Sequence, residues 1–283
     1  MRLVACAAAL GAAALIVVTP GMAGKGGPTP DPLFGWEGVT SWSGAVRYVA
    51  LADWKQSTTV ATIRVKDGRV MGWGTFSGSV GIPLVTWDGK AVGLSADGKR
   101  LVLASYSTRA YALNTIFVVV DTKTMKSLRR IDLPGHWAFD AISPNGNTIY
   151  ALQYGAPGSG HYAVRAIDAL TGKVVPGAIV DQREPDEEML GSPMTRTWSA
   201  NHTWAYTLYA KPNGTAFVHG LDTSNRKAVC LDLPWTGVGD SISRVRLQVS
   251  KDGGTLLLRQ QGLGRLASID LHSYRVTSFD SPT

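Results

Sequence analysis

The sequence has 283 residues, of which 45% are apolar and 17% charged, and its net charge is +7. This composition excludes a disordered chain and allows a sizeable core, in one large domain or in two small ones. The basic residues are scattered and no basic segment alternates with aromatic residues, so the sequence also argues against a nucleic acid as partner.

The first 23 residues predict a secretory signal peptide. Residues 3–18 are apolar and uncharged, they follow a single Arg2, and the small residues Gly21 and Ala23 stand where signal peptidase cleaves. A bilayer span needs about 20 apolar residues, so a cleaved signal is favoured over a retained anchor. We therefore expect a secreted or cell-envelope protein that is not an integral membrane protein once the signal is cleaved.

Cleavage would remove one charged residue, Arg2, and leave a net charge of +6. A soluble basic surface is favoured over attraction to an anionic cell-wall polymer or lipid headgroup. Cleavage would also leave Cys230 as the one cysteine, which excludes an internal disulfide. Its apolar surroundings in AVCLDL indicate a buried structural thiol rather than a nucleophile.

The chain after the signal divides into a linker and one domain. Residues 24–35 (GKGGPTPDPLFG) predict a linker or lead-in rich in glycine and proline. From residue 36 to residue 283, short β-branched and aromatic runs alternate with turn residues, and no convincing amphipathic helix is visible. We therefore expect a single all-β domain over residues 36–283.

A four-residue turn recurs about every 50 residues. It reads SADG at 95–98, SPNG at 143–146, SANH at 199–202 and SKDG at 250–253. Serine can bond the backbone two residues on, and Asx-Gly accepts the positive φ of a tight hairpin, so each turn joins an inner strand to its neighbour. A recurring aspartate, as in Asp121 and Asp168, predicts a second hairpin turn in each unit.

Each turn is preceded by one short strand and followed by three more, and an earlier unit has a degenerate turn at Ser43-Gly44-Ala45. Four-stranded units of this period stack radially, so the sequence predicts a β-propeller of five antiparallel blades. Six blades are the alternative, because residues 77–93 are longer than a blade-to-blade connection needs.

The repeat also predicts individual strands. The first strand of the second unit is expected at 92–95 (VGLS), and the last strand of the third unit is expected at 173–179 (KVVPGAI).

The units resemble blades of the YVTN-type and TolB-like propeller superfamily, which includes quinoprotein amine dehydrogenase-like repeats. The resemblance rests on the serine turns and on the runs VVVDTKTMKS, RAIDALTGKV and HGLDTSNRKA, and it covers about residues 37–280. It implies a fold but no activity, because this repeat serves many functions. One run at 165–175 also resembles a pyrroloquinoline quinone propeller repeat. A single copy without the closing tryptophan does not predict that cofactor, and no cofactor is expected.

Ligand sites in propellers usually lie at the channel mouth, among the loops that lead into the next inner strand and those between the second and third strands. By this rule the candidate ligand-binding residues share one face: Arg109, His136, Trp137, His161, Trp198, Trp235 and Asp240. The three tryptophans enter or precede inner strands, where they would line an apolar or sugar-stacking surface. Packing between blades is the alternative for these rings.

An acidic segment at 181–188 (DQREPDEE) is the longest excursion between blades, and it carries Asp181, Glu184, Asp186, Glu187 and Glu188. Crowded carboxylates can bind calcium, but the segment lacks the alternation with glycine of a calcium loop. A solvated acidic loop is therefore favoured, with docking of a basic partner as an intermediate possibility. No HExxH or His-x-His spacing occurs, so no metal site is predicted.

The expected function is that of an exported binding or scaffold protein, which presents its loop face to a protein or a cell-envelope polysaccharide. The alternative is a metal-dependent lactonase or esterase with its site at the channel mouth. Such a site would need several ligands pointing inward from the inner strands, where the chain offers only a mixture: Asp140, Arg196, Asp240, Ser243 and Arg244. No Gly-x-Ser-x-Gly elbow is present either, so binding is favoured over catalysis.

Overall fold

The structure is a computed structural model that describes residues 29–53, 56–107, 111–187 and 189–283. The signal peptide predicted at 1–23 and the first part of the predicted linker lie outside these residues. Within the described part of the chain, no helix is both long enough and apolar enough to cross a membrane.

Twenty described strands form five antiparallel sheets, each made of four strands. The first blade contains β1 (Gly38–Thr40), β2 (Val46–Ala52), β3 (Ser57–Arg64) and β4 (Val70–Ser77), and the second contains β5 (Val80–Gly81), β6 (Arg100–Ser105), β7 (Asn114–Asp121) and β8 (Lys126–Pro134). The third contains β9 (Trp137–Ile142), β10 (Thr148–Tyr154), β11 (His161–Asp168) and β12 (Met189–Leu190). The fourth contains β13 (Ser192–Trp198), β14 (Trp204–Ala210), β15 (Ala216–Asp222) and β16 (Lys227–Leu233), and the fifth contains β17 (Val245–Val249), β18 (Thr255–Gln260), β19 (Gly264–Asp270) and β20 (Val276–Ser278). The predicted five-blade propeller is confirmed.

The recurring serine turn has the predicted hairpin role. In the third blade, Ser143 Oγ donates to Asn145 Oδ1 at 2.9 Å and accepts from the Thr148 N–H at 2.9 Å, while Gly146 has a φ of 71°. The equivalent serines Ser95, Ser199 and Ser250 make the same pair of hydrogen bonds. The turn thus closes locally, which is why four variants of it give the same hairpin.

Apolar packing joins consecutive blades, with one buried cluster between each pair from blade 1 to blade 5. A further cluster of Val49, Ala61 and Ile63 belongs to blade 1 alone. The face of blade 5 that turns away from blade 4 carries the exposed side chains of Arg246 and Arg259, which are paired across β17 and β18. Among the described residues, apolar packing therefore does not close the ring between blades 5 and 1.

The inner strand of blade 2 is interrupted. The predicted strand at 92–95 pairs with β6 only through a bridge between Leu94 and Leu101, whereas β5 pairs with the other end of β6. Residues 82–92, here called the crossing segment, reach from blade 2 to the inner strand of blade 4. There the Trp87 N–H donates to the Pro193 carbonyl at 3.0 Å. The long stretch that suggested a sixth blade is thus an insertion that crosses the channel.

The outer strand of blade 3 differs from the prediction. Of residues 173–179, Val174 bridges to Ile167, and the pairing with β11 is then interrupted near Pro176, whose ring removes a backbone donor. The regular outer strand is β12, which pairs with the beginning of β11. The acidic segment lies between these two pieces, at the outer edge of the blade.

Candidate functional site

The residues of the predicted site are distributed over both ends of the propeller. We call the end that holds the connections between blades the upper face, and the end that holds the serine turns the lower face. His136, His161 and Asp240 lie at the upper face, as predicted. Trp198 ends the inner strand β13 and therefore lies at the lower face, which corrects its predicted position. Arg109 lies outside the described residues.

Trp137 and Trp235 are buried between blades, and Trp137 also contributes to the lining of a cleft at the upper face. Trp137 is 6% exposed, packs in the cluster between blades 2 and 3, and donates its indole N–H to the Pro134 carbonyl at 2.9 Å. Trp235 is 1% exposed and packs in the cluster between blades 4 and 5. Packing between blades therefore describes Trp235, whereas Trp137 both packs between blades and lines the cleft.

His136 lines an upper cleft of about 320 Å³, together with Trp87, Tyr106 and Asp31. Its Nδ1 accepts a hydrogen bond from the Ala112 N–H at 3.1 Å, so the ring proton resides on Nε2 when the ring is neutral. Burial lowers the pKa of His136 below its usual value. The imidazole is thus neutral at pH 7 and held by packing, which suits a wall of the cleft better than a proton donor.

The acids of the 181–188 segment do not converge on a common point. Glu187 forms an ion pair with Lys211 at 3.3 Å and lines a shallow outer pocket with His161. Glu184 and Asp186 are exposed, and hydrogen bonding with Glu187 raises the pKa of Glu184. Glu188 lies outside the described residues. These placements agree with a solvated segment more closely than with a calcium loop.

Asp181 is the exception, because it is buried and attaches the acidic segment to blade 4. It accepts hydrogen bonds from the Cys230 N–H at 2.7 Å and from Arg183 Nε at 3.0 Å. Burial acts to raise the pKa of Asp181, but the hydrogen bonds from Arg183 and Cys230 outweigh it and lower the pKa to about 2. This carboxylate is therefore a structural link between two blades.

We expect Asp181→Asn to lower the free energy of unfolding by about 1–2 kcal/mol at pH 7, because the amide loses a charge-assisted contact. A carboxylate with a lowered pKa stabilises the fold above its unfolded pKa, near 4, and loses this effect as the pH falls towards 2. The difference from the native protein should therefore shrink between urea titrations at pH 7 and at pH 3. Glu184→Gln, an exposed acid of the same segment, is the control and should cost little at either pH.

The residues considered for a metal-dependent hydrolase are not brought together. Asp140 and Arg196, from the inner strands of blades 3 and 4, form a buried ion pair, and Arg196 Nε also donates to Thr207 Oγ1 at 2.7 Å. Asp240, Ser243 and Arg244 lie in a 3-10 turn at the upper face, Gly239–Arg244. Within the described residues, no three His, Cys, Asp or Glu side chains are grouped so that they could hold a metal ion.

A second cleft, of about 410 Å³, opens at the lower face between the inner strands and the crossing segment. We call it the lower cleft, and its lining includes Trp42, Lys90, Phe139, Arg196, Trp198 and His202. Trp42 is the second residue of the blade 1 turn, which is Ser41-Trp42-Ser43-Gly44 and not the degenerate Ser43-Gly44-Ala45 that was predicted, because Ser41 Oγ bonds Ser43 Oγ at 3.1 Å and accepts from the Val46 N–H at 3.1 Å. The Trp42 ring stacks on His202, with ring centroids 3.7 Å apart and planes 25° apart. Its edge contact with Trp198 has a centroid distance of 5.9 Å. The lower cleft thus has an aromatic wall that blades 1 and 4 share.

The aromatic wall is accessible to a ligand. Trp42 is 45% exposed, and Trp198 is half-buried. Neither indole N–H has a hydrogen-bond partner among the described residues, and neither is a buried unsatisfied atom. The cleft therefore offers a ring face for stacking and two donors for hydrogen bonds.

No family model and no curated protein matches the sequence. Among solved structures, the chain is similar to the hydrazine synthase of Kuenenia stuttgartiensis, with 14% identity and a TM-score of 0.51 over 85% of this chain and 64% of that one. It is also similar to a functionally unknown protein from Desulfotomaculum acetoxidans, with 16% identity and a TM-score of 0.49 over 86% and 68% of the two chains. For TolB from Acinetobacter baumannii the values are 15% and 0.40, over 84% and 53%.

The chain spans less than two thirds of the hydrazine synthase and TolB chains. Likeness at such low identity concerns the fold alone, so it transfers no activity, substrate or partner. The fold comparison agrees with the five four-stranded sheets described above. The chain is a β-propeller, in agreement with the resemblance to TolB-like propellers that its repeats indicate.

Proposed function

We propose that this protein is an exported, non-catalytic β-propeller that binds a cell-envelope polysaccharide in the lower cleft. The observation that carries the proposal is the accessible aromatic wall formed by Trp42, Trp198 and His202. The signal sequence predicted at residues 1–23 supports a location where such polymers occur.

Sugar rings have apolar faces of C–H groups and a rim of hydroxyl groups. An indole ring can cover the apolar face, while N–H donors at the rim meet the hydroxyls. His202 supports one side of Trp42 and leaves the ring partly exposed, so the platform is held in place before a ligand arrives. Such preorganisation reduces the entropy that binding would otherwise cost.

The rigid frame of the cleft favours the same function. The crossing segment, which forms one wall, is fixed to β13 by the hydrogen bonds of Trp87 and Asp88 to the Pro193 and Met194 carbonyls, at 3.0 and 3.2 Å. β13 also carries Trp198, so the wall and the aromatic platform are parts of one unit. A protein ligand would use the same surface only if it presented a segment narrow enough to enter the cleft.

The test is binding of purified protein to insoluble envelope polysaccharide, with tryptophan fluorescence titrations of soluble fragments. Trp42→Ala should weaken binding at least tenfold, about 1.4 kcal/mol, because it removes the stacking platform. Trp73→Ala is the matched control, since this residue of blade 1 is 69% exposed and lies outside the cleft. Unchanged binding in a folded Trp42→Ala protein would contradict the proposal, and capture of an envelope protein alone would favour the protein-ligand alternative.

A further inference from the structure

The ionisable side chains of the described residues that line the lower cleft are all basic. None of the described residues that line it is an aspartate or glutamate, whereas Lys90, Arg196 and His202 all line it. Of these three, Arg196 is neutralised by the ion pair with Asp140. Burial lowers the pKa of His202, so its ring is neutral at pH 7. Among the described lining residues, the positive charge that remains at neutral pH is that of Lys90.

Lys90 is only loosely engaged within the protein. Its Nζ lies 3.9 Å from Asp88 Oδ2, at the outer limit of an ion pair, and 62% of its side chain is exposed. The Asp88 carboxylate is itself buried and already accepts hydrogen bonds from Thr86 Oγ1 at 2.6 Å and Thr195 Oγ1 at 2.8 Å. The Lys90 ammonium therefore keeps donors that no tight contact with the described residues uses.

The backbone that carries Lys90 is fixed relative to the aromatic wall. Residues 87 and 88 of the crossing segment are bonded to β13, whose last residue is Trp198. The lysine stem is flexible, but its attachment point is not. A sugar ring that stacks on Trp42 thus lies in a cleft of about 410 Å³ that also contains the mobile ammonium group.

We infer that the lower cleft selects an anionic saccharide, which places a carboxylate, sulfate or phosphate group against Lys90 while its ring stacks on Trp42. This inference rests on the proposed function and names the class of ligand. A charge-assisted hydrogen bond from an ammonium group to an anionic oxygen is stronger than a bond between neutral groups. No described lining residue brings a carboxylate that would oppose the anion, and the positive charge of the whole protein favours its approach.

The experiment compares three soluble ligands of similar length: an oligogalacturonate, its fully methyl-esterified and therefore neutral form, and a sulfated galactan oligosaccharide. We expect at least one anionic ligand to bind at least tenfold more tightly than the neutral ester. This preference should weaken when the salt concentration rises from 50 to 300 mM, because salt screens a contact at an exposed lysine. Which anion binds identifies the source of the negative charge.

Lys90→Gln should remove most of this preference and leave binding of the neutral ester within twofold, whereas Lys90→Arg should retain it. Lys251→Gln is the matched control, because Lys251 is exposed in a lower-face turn but does not line the cleft. Equal affinity for neutral and anionic ligands, with both still dependent on Trp42, would overturn the inference and leave the proposed function intact. Failure of all three ligands to bind would count against both.

Discussion

Replacing Asp140 with asparagine should lower the free energy of unfolding by about 3–5 kcal/mol, as expected when one partner of a buried ion pair is removed. Asp140 is fully buried, and Arg196, its partner across the junction of blades 3 and 4, is almost as buried. The asparagine would leave a guanidinium group in the core without a counter-charge. Arg196 Nε would still donate to Thr207, but a neutral hydroxyl compensates little of that charge.

Urea titration of the native protein, Asp140→Asn and Asp240→Asn measures this effect. Asp240 is exposed at the upper face, so its substitution should change the free energy of unfolding by less than about 0.5 kcal/mol. A double variant, Asp140→Leu with Arg196→Met, should recover much of the lost stability, because it removes both charges together. A cost below about 1 kcal/mol for Asp140→Asn would mean that water reaches the guanidinium group.

The regular part of the fold could be predicted because its signals are local. The serine turns close through hydrogen bonds between residues two and five apart, as in Ser143 with Asn145 and Thr148. The second turn of each unit is equally local, with the Asp168 carboxylate bonded to the N–H groups of Leu170 and Thr171. Such contacts depend on neighbouring residues, so one blade can be recognised without knowledge of the others.

The candidate site depends on contacts that are distant in sequence. Asp88 and Thr195, which join the crossing segment to β13, are 107 residues apart. Trp42 stacks on His202 from another blade, and its own turn closes through Ser41 as the turns of the other blades close through their serines. The sequence signal for Trp42 is its position as the second residue of its turn, where the other units have Ala, Pro or Lys.

The sequence places Trp198 at the upper face because it predicts the beginning of blade 4 too late. The excursion that follows Pro176 already ends at the short strand β12, residues 189–190, and the inner strand starts directly after it at Ser192. Trp198 is therefore the last residue of a strand that was expected to begin near it. A shift of one strand length moves a side chain from one mouth of the channel to the other, and this explains why Trp198 joins Trp42.

Replacing Trp235 with alanine should lower the free energy of unfolding by about 3–5 kcal/mol, because it removes a fully buried aromatic side chain and leaves a cavity. The ring lies in the cluster between blades 4 and 5. Its Nε1 donates to Ser278 Oγ at 3.2 Å and to the Asp280 carbonyl at 2.9 Å, so it also fixes the segment that follows β20. Trp235→Phe keeps most of the apolar contact but loses the donor, and should cost about 1–2 kcal/mol.

The manner of unfolding is as informative as its free energy. Because apolar packing among the described residues does not join blade 5 to blade 1, blade 5 depends on its junction with blade 4. Hydrogen exchange in Trp235→Ala should therefore show β17–β20 losing protection before the other blades, as a separate cooperative unit. Trp73→Ala, at an exposed position on blade 1, should leave the exchange pattern unchanged. Uniform loss of protection across all five blades would instead mean that blade 5 is also held by polar contacts with blade 1, and that the propeller unfolds as a closed ring.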